Sequence, residues 1–208
     1  MYIWSVMVVY TVHKQNPQHR YIETAGSILK DKGGIAVYPT DTVYGMGACI
    51  SNAHGIDKIS HILEKDKNRL FSFLCCDFSQ AALYARISNN SYRVMKRYLP
   101  GPYTFVLPAT MMVPKKICPK RKTVGIRIPS CKVTLDLVTH MGEPIANTSI
   151  QLPGELRGDP EEVKLAVLHE VDIMLDIGPL DDPLGSTIVD LTDETPVLLR
   201  QGKGVWSE

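Results

Sequence analysis

No stretch of this sequence approaches the roughly 18 consecutive apolar residues that a membrane-crossing helix needs. The apolar opening, residues 1–12, is too short and lacks both a basic leader and a small-residue cleavage site, so a soluble, cytoplasmic protein is expected. Cysteine is sparse. The five present, an odd number with two adjacent at Cys75 and Cys76, have no zinc-site spacing and build no disulfide framework, which leaves reduced core thiols. There is no internal repeat, no low-complexity tract, no Walker-type glycine loop and no dinucleotide fingerprint, so those two routes to nucleotide binding are excluded. Acid is also missing from one long stretch. Residues 78–135 carry eleven Lys or Arg and no Asp or Glu, whereas 136–208 carry four basic and fifteen acidic residues. The net charge of +1 thus conceals blocks of +11 and −11. Such blocks suit either a basic face for polyphosphate or nucleic acid with an acidic flank, or two halves that pair across the fold.

What is present is ample core material: 208 residues, 44% of them hydrophobic, bury a core most simply as one domain over 1–208. A first strand over 1–10 and a loop over 13–17 lead to a helix marked by Ile22, Ala25 and Leu29 and stopped at Gly33. A β-branched strand over 35–38 then breaks into a polar turn. Pro39 stops the strand, Thr40, Asp41 and Thr42 offer short polar side chains, and Gly45 and Gly47 admit a ligand or another strand close to the backbone. The plain alternative is an ordinary turn with Asp41 bonded to its own backbone. Ile56, Ile59 and Leu63 mark a second helix running into a charged end over 64–69. A strand over 71–76, a short helix capped by Ser79, a helix through Tyr92, Met95 and Leu99, and a strand over 103–107 follow. After a basic loop over 115–122, Val124, Ile126 and Ile128 alternate as a half-buried strand, which turns Arg127 to the opposite face. A helix over 133–141, an extended segment over 144–150 and a loop over 151–159 precede an acidic helix opened by Pro160. Strands over 173–176, 187–191 and 197–200 complete the set. Without a regular βαβ repeat, the fold class is α/β: a twisted, partly open mixed sheet with helices on its faces.

Six separated pieces in one order together resemble the YrdC-like family. They are Tyr-Pro-Thr-Asp-Thr-Val-Tyr-Gly-Met-Gly at 38–47, Lys-Asn-Arg at 67–69, Pro-Gly-Pro-Tyr-Thr-Phe-Val-Leu at 100–107 and Val-Gly-Ile-Arg-Ile-Pro at 124–129. Two more are Pro-Ile-Ala-Asn-Thr-Ser at 144–149, and Gly-Ser-Thr-Ile-Val-Asp at 185–190 leading to Pro-Val-Leu-Leu-Arg at 196–200. The resemblance implies a single α/β domain with a concave basic face, without the extra C-terminal domain some members carry. It implies threonylcarbamoyl-AMP synthesis for tRNA modification: L-threonine, bicarbonate and ATP meet, the amine is carboxylated, and the carbamate attacks the α-phosphate and releases pyrophosphate. Mg²⁺ is expected beside the ATP, which makes the chain a nucleotidyltransferase, and no protein metal site is expected. Lys67 and Arg69 would hold the phosphates as the catalytic cations, and Arg127 would take the threonine carboxylate. Thr40 and Thr104 would line the amino-acid pocket, Ser149, Gln151 and Ser186 the nucleotide side, and Arg200 the adenylate. The plainer readings are a solvated helix end for Lys67 and Arg69, a surface strand arginine for Arg127, and turn bonds for the hydroxyls.

Two departures from the family pattern stand out. Ser149-Ile150-Gln151 keeps the family serine but has a longer amide in place of asparagine. The segment after Arg69 is short and lacks the usual proline, and Cys75 and Cys76 stand where a histidine is usual. The residues 16–20 and 75–77 look more like the YciO-like branch, whose activity is not equated with the synthase. The changes at Gln151 and Cys76 imply ATP binding with threonylcarbamoyl-AMP made slowly or not at all, and the alternative is a related activity with tRNA or double-stranded RNA as partner through the basic segment.

Overall fold

A computed structural model describes residues 7–64, 71–115, 117, 122–150, 152 and 158–207. Lys67, Arg69, Gln151 and most of the basic loop, including Lys120 and Arg121, lie outside the described residues.

The elements run β1 (Val8–Thr11), α1 (His19–Lys30), β2 (Ala36–Tyr38), β3 (Gly45–Cys49), α2 (Ala53–Glu64), β4 (Ser72–Leu74), α3 (Phe78–Tyr84), α4 (Asn89–Tyr98) and β5 (Tyr103–Pro108). They continue with β6 (Thr123–Arg127), α5 (Lys132–Met141), β7 (Ile145–Ser149), α6 (Pro160–Val167), β8 (Ile173–Asp176), β9 (Thr187–Asp190) and β10 (Val197–Arg200). Among the described residues, all ten strands join one sheet in the order β1-β8-β2-β3-β7-β4-β6-β5-β9-β10. It is mixed: β8 is parallel to β1 and β2, β4 to β6, and β5 to β9, while the remaining neighbours are antiparallel.

Alternation along the strands divides the apolar residues between the two faces. Val37, Met46, Phe73, Phe105, Ile126, Ala146, Met174 and Val189 face one core, which α2, α3, α4 and α6 close with Ile56, Ile59, Ala81, Met95 and Val163. Ala36, Tyr38, Leu74, Ile145, Ile173 and Leu175 face the other. There α1 and α5 pack side by side through Ile22, Leu29, Val133 and Leu137. Among the described residues the second core takes nothing from β5, β6, β9 or β10, so those residues put no apolar layer on this end of the face. Ser72, Gly125, Thr104 and Ser149 belong to this face by register.

Local chemistry explains most of the boundaries. Asp159 caps α6 by accepting from the Glu161 amide, with Pro160 at the first turn and Glu161 and Glu162 behind it. Gly142 ends α5 in the left-handed conformation at φ 69°. The cap expected at Ser79 is corrected: Asp77 caps α3, its carboxylate accepting from the Gln80 amide at 2.7 Å, and Ser79 lies inside the helix. A carboxylate two residues earlier is the better acceptor for the free amides of the first turn. The strand β3 is also an addition to the sequence reading, in which Gly45 and Gly47 follow the turn and admit a ligand or another strand close to the backbone. All five of its residues are buried between β2 and β7.

Candidate functional site

The turn after β2 folds against the end of β6. Arg127 does turn away from the Val124–Ile126 side, as alternation requires, but it is no surface arginine: its side chain is 3% exposed. Nη2 donates to Thr40 Oγ1 at 3.1 Å, to Thr42 Oγ1 at 2.8 Å and to the Asp41 carboxylate in a close ion pair. The other Asp41 oxygen accepts from the Ser130 amide at 2.9 Å and its hydroxyl at 3.1 Å. Asp41 therefore ties the turn to the β6–α5 connection instead of bonding its own backbone, the plain alternative above. The Thr40 hydroxyl is spent inside this cluster, donating to the Val43 carbonyl at 2.6 Å and accepting from the Thr42 amide. Thr134, on the first turn of α5, donates to the Pro39 carbonyl and closes the same corner.

One atom of this cluster is left over. Arg127 Nε is buried and has no hydrogen-bond partner among the described residues. A guanidinium held rigidly by one nitrogen, with a desolvated N–H to spare, is short of an acceptor. A cavity of about 190 Å³ adjoins the cluster, lined by Thr40, Asp41, Thr42 and Ser130 together with Lys14 and Lys203. Cys131 also borders it, its thiol pushed up by burial against the amides of Thr134 and Val133.

A second polar group forms on the open part of the sheet. Thr104 on β5 and Ser186, just before β9, share a hydrogen bond of 2.9 Å, and both are buried. Arg200 on β10 donates through Nε and Nη2 to the Ser186 carbonyl at 3.1 and 2.7 Å. Its guanidinium lies over Gly185, where a Cβ would stand 3.2 Å from Nη2. Thr104, Ser186 and Arg200 are thus one connected group, as Thr40 and Arg127 are another. Ser149 sits half-buried at the end of β7 opposite Gly45.

Sequence reasoning did not single out the side chains between these groups. Tyr38, fully buried, reaches across β3 to donate to Asn147 Oδ1 at 2.9 Å, and Asn147 Nδ2 donates to Ser72 Oγ at 3.2 Å. Gly45 and Gly47 explain how: a Cβ on Gly45 would lie 2.5 Å from Asn147 Oδ1, and one on Gly47 would collide with the Tyr38 hydroxyl and Ile145. The glycines make room for a side chain of this chain's own. Burial pushes the Tyr38 phenol well up, against a lowering pull from Arg127, so it stays a neutral donor. A tyrosine ahead of Gly-x-Gly on paired strands was the available signal.

Of the basic segment, Arg86, Arg93, Lys96 and Arg97 are exposed, the last three on α4, which covers the other face of the sheet from Arg127. Among the described residues, no three His, Cys, Asp or Glu side chains gather as a metal site, and no helix is long and apolar enough to cross a membrane.

The chain is an α/β domain with one mixed sheet, one face of which carries Ser72, Thr104, Asn147 and Arg127. The family model described as Telomere recombination (Sua5/YciO/YrdC) matches residues 28–202, and the chain belongs to this family. The crystal structure of Escherichia coli YciO superposes with a TM-score of 0.87 at 38% identity, covering 96% of this chain and 97% of that one. Pyrococcus abyssi Sua5 complexed with L-threonine superposes with a TM-score of 0.85 at 27% identity over 94% of this chain and 58% of that one. The Bacillus subtilis threonylcarbamoyl-AMP synthase is 31% identical over 209 residues, 96% of this chain and 57% of that protein. The family therefore includes threonylcarbamoyl-AMP synthases, and the relatives similar over nearly their whole length include YciO.

Proposed function

We propose that this chain binds ATP and L-threonine on the open face and forms threonylcarbamoyl-AMP. The observation that carries the reading is Arg127: buried, oriented by Thr40, Asp41 and Thr42, and left with an Nε that has no partner among the described residues and that an incoming carboxylate would satisfy. A carboxylate there would be held by a charge-assisted bond in a desolvated site, where such a bond is strongest. The threonine nitrogen would attack bicarbonate with loss of water, and the carbamate oxygen would then attack the α-phosphorus of ATP, expelling pyrophosphate. Proximity and charge neutralisation supply the catalysis. Thr40 and Thr104 would line the amino-acid pocket, Ser186 and Arg200 would sit at the adenylate end, and Ser149 and Gln151 would lie beside the nucleotide. Lys67 and Arg69 would neutralise the triphosphate, and Mg²⁺ would arrive with ATP as part of the substrate. Gln151 and the Cys75-Cys76 pair, in place of the usual asparagine and histidine, would make this synthesis slow. The test is product detection by mass spectrometry with ATP, bicarbonate and L-threonine, omitting each in turn. Product that requires all three supports the reading, and its absence under every condition overturns it.

A second reading has its own observation. Arg93, Lys96 and Arg97 are exposed along α4 within a stretch that contains no acid, a footprint suited to phosphates of tRNA or duplex RNA. RNA affinity that falls steeply with salt, with no dependence on ATP, would favour it.

A further inference from the structure

The two edges of the sheet meet at one residue. The strands β1 and β10 are outermost, at opposite ends of the strand order. Lys14 lies three residues past the end of β1 and Lys203 three past the end of β10, yet both reach Asp181. Lys14 Nζ stands 3.7 Å from an Asp181 carboxylate oxygen, and Lys203 Nζ donates to the carbonyls of Asp181 and Asp182 at 2.9 and 3.0 Å.

Topology explains the meeting. Asp181 belongs to the connection over 177–186, which joins β8, second in the sheet, to β9, ninth. Seven strand spacings on a flat sheet measure about 33 Å, which a chain of ten residues covers only when fully extended. This connection is not extended. The Leu184 amide donates back to the Asp182 carbonyl at 2.8 Å, and Gly178 and Asp182 take left-handed φ values of 84° and 48°. The sheet therefore curls until its ends approach, and the connection is a strap across the gap. Its Leu180 amide donates to the Gly158 carbonyl at 2.9 Å, and its Gly185 carbonyl accepts from the Lys203 amide at 2.9 Å.

The strap walls the cavity beside the Arg127 cluster. Lys14, Asp181 and Lys203 all line that cavity, together with Leu180, Thr42 and Cys131. The Asp181 side chain is 97% exposed and that of Lys14 55%, so the pair they form is of the weak, solvent-screened kind. Weak bonds can open without disturbing the core.

We propose that Asp181, Lys14 and Lys203 form a clasp that holds the two edges of the sheet together over this cavity and opens to admit a ligand to the Arg127 cluster. The lysines act through Asp181, so freeing one edge loosens the other. The clasp acts whatever molecule fills the cavity, and its test needs no substrate.

Cys131, half-buried in the cavity wall, is a built-in probe. Wild type, Lys14→Met, Lys203→Met, the double variant and Lys203→Arg are treated as whole proteins with iodoacetamide, and each cysteine's modification is timed by peptide mass spectrometry. Cys131 should react about 2- to 5-fold faster in each Met variant, the factor by which losing one exposed pair raises an open population. The double variant should be faster still, and Lys203→Arg, which keeps the charge, close to wild type. Cys49 and Cys75, buried in the cores, should keep their wild-type rates. Removing a nearby ammonium disfavours a thiolate and slows this chemistry, so acceleration reports access and not charge. Hydrogen exchange supplies the second arm: Lys203→Met should speed amide exchange over residues 13–18, at the other edge of the sheet. Unchanged Cys131 labelling in the double variant, or acceleration shared equally by Cys49 and Cys75, overturns the clasp. So does faster exchange in Lys203→Met that stays within 178–184 and 201–204.

Discussion

Asp41 and Arg127, 86 residues apart in sequence, form an ion pair whose side chains are 9% and 3% exposed. A pair so deeply placed does little for net stability, because desolvation offsets most of its attraction, but removing one partner strands the other. Asp41→Ala should cost about 3–5 kcal/mol by urea denaturation, since it leaves a buried, uncompensated guanidinium. An effect below about 1 kcal/mol, the range of exposed pairs, would show that Arg127 relaxes to water.

The glycines under Tyr38 predict an asymmetry. Gly47→Ala should destabilise by about 1–3 kcal/mol, the usual cost of overpacking, because its Cβ would meet both Tyr38 and Ile145. Gly142→Asn should be nearly neutral: nothing lies within 4 Å of a Cβ there, and asparagine accepts the left-handed backbone at φ 69°. Thermal melts of the two variants check both arms.

For α3, Asp77→Ala should cost about 1 kcal/mol as a lost cap, while Ser79→Ala should stay within about 0.5 kcal/mol. Equal effects would contradict the placement of the cap at Asp77.

How far the sequence revealed these relationships depended on whether the cause was local. Ile22, Ala25 and Leu29 marked α1 because helical spacing repeats within one element, and all three are buried against α5. The facing of Arg127 followed from alternation along β6. Its burial did not, because that depends on a turn 86 residues away folding over it. The glycines of Gly45–Cys49 are legible as a place of close approach, but that the close neighbour is the Tyr38 side chain depends on the pairing of β2 with β3. The line from Tyr38 to Asn147 and Ser72 joins residues of three strands, and only the register of the sheet brings them together.

Stability in acid should depend on Glu143. Burial pushes its carboxyl up, but the Ser51 hydrogen bond and the Lys30 partner at 3.0 Å outweigh this and hold it below the ordinary value. A depressed folded-state pKa contributes stability that is present above the unfolded value, about 4.3, and lost as pH falls through the lower folded value. Glu143→Gln should therefore lose less stability than wild type as pH is lowered from about 5 to 3. Parallel acid limbs in chemical denaturation would contradict the assignment.

Arg127 is proposed to receive the carboxylate of an amino acid that is then activated with ATP. Pyrophosphate release should be measured with ATP and bicarbonate, with and without L-threonine, for wild type and for Arg127→Met, which removes the guanidinium but keeps an unbranched side chain. Release in wild type should require threonine and should fall by about 10- to 100-fold in Arg127→Met at sub-saturating threonine, the equivalent of one lost charge-assisted bond. Release that is the same without threonine, or undiminished in a folded Arg127→Met protein, would contradict it.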